Sequence, residues 1–361
     1  MNEADFLAAQ AFLLAVKRHW TTQRYPALRA MAQAALPADA SAQQVAQYLE
    51  PTPAYQTFAW LERHLQKMKY SGAYGLAPYH DQRRDALLPA VEAAAAQASA
   101  AVPPRLTLQP NMPLPAYYQA VDIHQHPQGL ATNPLAGLMY ERGARSTTPM
   151  LGARHQDLHT RLTDVALGLC AQPPARVIDL ACGFGKSTLP FAHALPQVPI
   201  TALDLSAPCL KTAAWQAAEQ GARHVHWLQA NACATGLPDG SAELVTSTML
   251  LHELPTPELH QALAESARLC APGGQVVHLD FWLIRDGFDR FIYNGHSDRN
   301  NEPFMKPLFE TDVVQAMAQA GLVDVQVLPF AEAEGVDPAA HPHWRFPWTV
   351  ITGRRPASAA T

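Results

Sequence analysis

Val177-Ile-Asp-Leu-Ala-Cys-Gly-Phe-Gly-Lys-Ser-Thr188 decides the fold of this chain. An apolar run carrying one acid breaks into Gly-x-Gly and then resumes with helix formers, which reads as a strand, a tight turn and a helix N-terminus. Gly183 and Gly185 let a ligand approach the backbone closely, and the helix starting near Lys186 aims unpaired N–H groups at the same spot. A small ligand is expected in that bend.

Three ligand classes use such a bend. A nucleoside-triphosphate loop needs glycine five positions before Gly185, where this chain has Leu180. The dinucleotide fingerprint Gly-x-Gly-x-x-Gly needs a third glycine where Thr188 stands, which weakens that reading without removing it. Third, Asp179-Leu-Ala-Cys-Gly-Phe-Gly185 resembles motif I of class I S-adenosylmethionine-dependent methyltransferases.

Later segments carry the same resemblance in order. Ile200 to Ser206 resembles the second strand, ending in Asp204, whose two acceptor oxygens suit the vicinal ribose hydroxyls. Val225 to Ala232 resembles the third strand and the residues flanking adenine, with Asn231 where the family commonly has an acid. Glu243 to Leu254 resembles the fourth strand and its trailing motif, and Cys270 to Asp280 the Pro-Gly-Gly turn into strand five. The resemblance covers roughly residues 151 to 353 and is closest to ubiquinone-biosynthesis-like small-molecule methyltransferases.

It implies a Rossmann-like seven-stranded α/β sheet, mostly parallel with the last strand antiparallel. The implied cofactor is S-adenosylmethionine, leaving as S-adenosylhomocysteine. Its expected contacts are Asp179, Ala181, Cys182, Gly183, Gly185, Thr188, Asp204, Leu205, Asn231, Ala232, Thr248 and Met249.

Outside the motifs, strand and helix signals alternate to about Ala320, which calls for a parallel sheet with helices on both faces. Val323 to Pro329 and Pro347 to Gly353 have no helix between them and should pair antiparallel. Upstream, Phe6, Leu13, Val16 and Trp20 recur at helical spacing, and further helical patterns cover about 24–36, 41–49, 54–69 and 81–99. From Val102 to Pro149 repeated prolines preclude long helices, yet Tyr117-Tyr118, His124, His126 and Tyr140 give this connector a functional look. The expected organisation is a helical cap or dimerisation domain over 1–115, a connector over 116–150 that contributes to the site, and the methyltransferase domain over 151–361.

For a hydroxyl acceptor a general base is useful, and His252, following the fourth strand at the ligand-binding edge of the sheet, is the leading candidate. Structural capping by the same histidine is the competing reading. His278 and Asp280 share a strand face, with Asp280 placed to orient a base or to bind substrate, or simply to face a helix. Phe288 to Phe304 reads as a loop insertion mixing aromatics with His296, Arg299 and Asn301, suited to a substrate lid. Tyr140, Arg142 and Arg145 are further substrate or carboxylate contacts, with core packing and surface ion pairs as their plainer roles. His155-Gln-Asp-Leu-His159 lacks the zincin glutamate, while His124-x-His126 and His341-x-His343 lack a third ligand, so no metal is expected.

The 361 residues carry a net charge of −5, without the basic excess needed to grip a phosphate backbone. Five cysteines without a Cys-x-x-Cys pair suggest reduced thiols in the cytoplasm. Neither a basic leader nor a membrane span is visible. The expectation is methyl transfer to a small molecule, first to oxygen and otherwise to S, N or C, without nucleic-acid or membrane partners. A homodimer through the N-terminal helices is also expected. A nicotinamide-dependent oxidoreductase and a non-catalytic cofactor-binding module are the alternatives.

Overall fold

The computed structural model describes residues 1–144, 158–331 and 347–357. Its eight strands are β1 (Leu106–Thr107), β2 (Val177–Leu180), β3 (Ile200–Asp204), β4 (Val225–Gln229), β5 (Ala242–Thr248), β6 (Cys270–Asp280), β7 (Val323–Phe330) and β8 (Trp348–Arg354). They form one sheet in the order β1-β4-β3-β2-β5-β6-β8-β7. All neighbours run parallel except β8, which is antiparallel to both β6 and β7.

All four residues of β2 are buried, as a central strand covered on both faces requires. From β2 the chain winds outward through β3 to β4, then returns to lay β5 on the other side of β2. The bend after β2 and the segment after β5 therefore flank the point where strand order reverses, which is where open α/β sheets bind ligands.

The sheet has one strand more than expected. Leu106 and Thr107, in the proline-rich stretch, pair with Trp227 and Leu228 of β4 and extend the edge. Two residues are too short to leave an alternation pattern in the sequence.

Helices Glu3–His19, Tyr25–Ala35, Ala42–Leu49, Pro53–Ser71 and Arg84–Ala100 build the N-terminal region. Phe6, Leu13 and Trp20 of the first stripe are buried, and Trp20 stacks on Phe58 with ring centroids 4.6 Å apart. These helices pack directly on the sheet half: Arg29 pairs with Asp286 and Asp289, and Lys211 with Glu92.

One local expectation is corrected. Phe288 to Phe304 is not a structureless insertion, because Gly287–Asn300 forms a 14-residue helix whose N-cap, Asp286, accepts from the Asp289 N–H at 2.8 Å. Phe288, Phe291 and Ile292 are buried at helical spacing, a stripe obscured by the polar residues between them.

Candidate active site

Gly183 and Gly185 do different jobs. Gly185 has φ +88°, and a Cβ there would stand 2.8 Å from the Trp227 ring, so packing against β4 demands the glycine. Gly183, φ +53°, borders the cavity, and the nearest atom to a Cβ there belongs to Tyr140, at 3.5 Å. Ala181 and Met249, one on each side of the strand-order reversal, hold left-handed backbone at φ +57° without being glycine. Such strain persists where surrounding structure enforces it, commonly at ligand sites.

Asp204 ties this end together. One carboxylate oxygen accepts from the Gly183 N–H at 2.8 Å, the other from the Ser206 N–H at 2.8 Å. Burial raises its pKa, and the backbone donors pull it back. Asp179 lies under the bend instead of on the cavity wall. Fully buried, it accepts from the hydroxyls of Ser187 (2.7 Å) and Thr188 (2.6 Å), and burial raises its carboxyl to about 6 against those hydroxyls. Asn231 spends its side-chain oxygen on the Cys233 N–H at 2.9 Å, which directs it as a turn former as well as a cavity residue.

A cavity of about 280 Å³ opens over these residues. Ala181, Cys182, Gly183, Asp204, Leu205, Asn231, Ala232, Thr248 and Met249 all border it; Asp179, Gly185 and Thr188 do not. The other end meets His252 and is roofed by residues of the N-terminal helices and connector, including Leu13, Trp20, Tyr117 and Tyr118.

His252 is 2% exposed, with Nδ1 2.6 Å from Asp280 and Nε2 3.3 Å from Glu253. Asp280 stays off the cavity wall and also accepts the N–H groups of Leu251 and His252, fixing both turn and ring. Burial opposes protonation of His252, but Asp280 and Glu253 override it and hold its pKa well above the ordinary range. His278 instead bonds Ser247 at 2.7 Å, and burial lowers its pKa to about 4.

The five expected substrate contacts separate. Tyr140 and His296 border the cavity; Arg142, Arg299 and Asn301 do not. Arg142 lies over the Phe6 ring at 4.7 Å and 3.8 Å from Glu3. Arg299 bonds Glu62 and Tyr55, while Asn301 closes the Gly287–Asn300 helix at φ +57° and donates to the Asp122 carbonyl. Arg145 lies outside the described residues, as do His155, His341 and His343.

Several cavity residues have no local sequence signature. Glu62 and Lys69 come from the fourth of the N-terminal helices, and Glu302 follows the Gly287–Asn300 helix. Lys69 is 6% exposed, and burial lowers its ammonium to about 7. His124 reaches Glu253 at 3.1 Å and Glu302 at 3.0 Å; burial opposes its protonation, but the two carboxylates raise it to about 10. The His-x-His signal was visible in the connector, but its acidic partners lie far along the chain.

Among the described residues no helix is long and apolar enough to cross a membrane. Residues 177–274 match the family described as "Methyltransferase domain". A demethylmenaquinone methyltransferase of Thermus thermophilus is 34% identical over 143 residues, covering 40% of this chain and 63% of that protein. A ubiquinone/menaquinone biosynthesis C-methyltransferase of Methylobacterium nodulans is 32% identical over 128 residues, covering 35% and 50%. The chain thus spans about half to just under two thirds of the length of these curated relatives. Among solved structures, a putative methyltransferase of Bacillus halodurans matches with TM-score 0.43 and 19% identity over 55% of this chain and 99% of that one. With the ordered motifs and the sheet that carries them, the match shows a methyltransferase domain over residues 177–274, similar to those of class I S-adenosylmethionine-dependent enzymes.

Proposed function

We propose that the chain transfers a methyl group from S-adenosylmethionine to a small, largely apolar acceptor bearing an acidic hydroxyl, with oxygen as the first-choice atom. The observation that carries this reading is a single cavity joining the bend after β2, Asp204 and Asn231 to His252 and Glu253. In it, Asp204 meets the ribose hydroxyls with the lone pairs its backbone donors leave open, and Asn231 and Ala232 flank adenine. S-adenosylmethionine held there would supply the methyl group on the side of the cavity lined by Met249 and His252.

Methyl transfer is an in-line displacement, so holding donor and acceptor together supplies most of the rate. Effective molarities of about 10⁵ M or more come from positioning alone. Leu65, Val121, Ile123, Phe281 and Trp348 line the cavity and supply an apolar wall that excludes water from the acceptor end. His252, its ring fixed by Asp280 and its Nε2 toward Glu253, is assigned to the acceptor oxygen. Kept protonated by Asp280 and Glu253, it holds as imidazolium an acceptor that arrives as an oxyanion.

Carbon methylation is the second reading, favoured by the similarity to the ubiquinone/menaquinone biosynthesis C-methyltransferase of Methylobacterium nodulans. An aryl or enol oxyanion is nucleophilic at carbon as well as oxygen, so the same site serves both. Incubating the chain with ¹³C-methyl S-adenosylmethionine and a panel of phenols and quinols tests it, since the methyl chemical shift separates the two atoms. Binding of NADH with no binding of S-adenosylhomocysteine would overturn both readings in favour of an oxidoreductase. Cofactor binding with no transfer would favour a binding module.

Within this reading the described residues of 1–115 roof the cavity, those of the 116–150 connector add to its wall, and those of 151–361 hold the cofactor. Leu7 (49% exposed), Phe12 (59%) and Trp60 (57%) on the outer helices support a homodimer, which light scattering tests. The five unpaired cysteines support a cytoplasmic setting.

A further inference from the structure

His124, Glu253 and Glu302 line one part of the cavity from three separate segments, Glu253 at His124 Nε2 (3.1 Å) and Glu302 at His124 Nδ1 (3.0 Å). His124 sits in the turn Ile123–Gln125, Glu253 in the turn Leu251–Glu253 after β5, and Glu302 just beyond the Gly287–Asn300 helix. One donor atom from each lies within 4.8 Å of the others. We propose that these three side chains form a divalent-cation site on the cavity wall beside His252, for a borderline ion such as Mn²⁺ or Zn²⁺.

The donor chemistry fits. One imidazole and two carboxylates suit these ions, and the two anionic groups balance the charge of a dication. Neighbouring donors bonded at about 2.1 Å stand roughly 3 to 3.5 Å apart, so donor atoms lying within 4.8 Å of one another draw together when the ion binds. Glu253 Oε2 is buried and has no hydrogen-bond partner, while Oε1 faces His124 and His252. Three protein donors leave the remaining coordination positions facing the cavity, the arrangement of a working site and not of a closed structural one.

The ligands are also held in place. His124 adopts φ +52° and Gln125 φ +56°, costly for residues that are not glycine. That turn is tied down by the Gln66 amide donating to the His124 carbonyl at 3.0 Å and by Gln125 donating to the Arg299 carbonyl at 2.8 Å. Glu302 exchanges two hydrogen bonds with Ser297, its N–H donating to the Ser297 carbonyl at 3.0 Å and its carbonyl accepting the Ser297 hydroxyl at 2.7 Å. His252 and His296 flank the cluster, their Nε2 atoms 4.0 and 3.5 Å from Glu302.

Resting on the reading of the cavity as a methyl-transfer site, the ion binds the acceptor. Its open positions select molecules with two adjacent oxygen donors, such as a catechol or a hydroxyketone, and present one oxygen toward the sulfonium end. The test separates the two claims. Manganese is titrated into the full-length chain and followed by electron paramagnetic resonance, while S-adenosylhomocysteine binding is measured by calorimetry on the same samples. The expected result is one saturable Mn²⁺ site per chain, weakened at least tenfold in Glu302→Gln and in His124→Asn, with adenosylhomocysteine affinity kept in both. Should Glu302→Gln fail to fold, Glu253→Gln carries the same measurement. No saturable Mn²⁺ binding, or binding equally tight in the folded variants, overturns the cation site. Manganese binding without adenosylhomocysteine binding keeps the site and removes the methyl-transfer reading beneath it.

Discussion

The two ends of the cavity are built in opposite ways. At the nucleoside end, Ala181, Gly183, Asp204 and Asn231 each sit one to three residues past a strand terminus or at it, so a short motif and the sheet register fix them together. At the acceptor end, His124, His252, Glu253, Glu302 and Glu62 are drawn from the connector, the segment after β5, the region beyond Asn300 and an N-terminal helix. The first end rests on local sequence and sheet register, the second on long-range packing, and under the proposed function it is the second that selects the acceptor.

The sharpest way to break that division is His252→Gln. If the two ends act separately, turnover falls by about 10² to 10⁴, the usual range for removing a group that handles the transferred proton or the oxygen it leaves. Adenosylhomocysteine affinity stays within error. An equal loss of cofactor affinity would mean that the histidine serves the fold, the plainer reading from the sequence.

Beneath the nucleoside end, Asp179 tests whether the bend is supported by charge or by hydrogen bonding alone. Its carboxyl is raised to about 6 when folded, so the folded chain binds a proton more readily than the unfolded one between about pH 4 and pH 6. Stability contributed by this group therefore increases as pH falls through 6, and above 6 the buried charge costs about 3 kcal/mol. Asp179→Asn should flatten that part of the stability curve in urea unfolding at stepped pH. An unchanged slope would place the charge elsewhere.

Asp204→Ala is the converse of the histidine change. It removes the acceptor for two backbone N–H groups and the proposed grip on the ribose, costing about 2 kcal/mol of adenosylhomocysteine affinity, roughly thirtyfold. Calorimetry reads it directly, and unchanged affinity would remove the nucleoside assignment.

Legibility from sequence follows the same line. The N-terminal helices were readable from periodicity within single segments, and the sheet with its antiparallel last strand from the ordered motifs and the alternation of strand and helix signals. β1 was not, since two residues paired to a distant strand leave no pattern. The Gly287–Asn300 helix was hidden because its buried stripe of Phe288, Phe291 and Ile292 is mixed with polar residues, among them Asp289, His296 and Arg299, whose partners Tyr25, Arg29 and Glu62 lie in the N-terminal helices. Glycine was legible at 183 and 185 but its cause was not, because only the fold brings Trp227 against Gly185. The acidic partners of His124 could be found only once three distant segments were folded together.

The smallest expected effect is the one that sharpens the boundary of the acceptor end. Arg142 was a candidate carboxylate clamp, and its guanidinium lies over the rings of Phe6 and Tyr79, 4.7 and 5.0 Å from their centres, outside the cavity wall. Its distance of 3.8 Å to a half-exposed Glu3 makes the pair weak, because water screens both charges. Arg142→Ala should therefore cost at most about 1 kcal/mol of stability, from lost ring contact more than from lost charge, and leave kcat/KM unchanged. A drop in kcat/KM with stability intact would extend the acceptor site beyond Tyr140 into the helix that carries both residues, and would move part of its specificity from the acidic cluster to a cation.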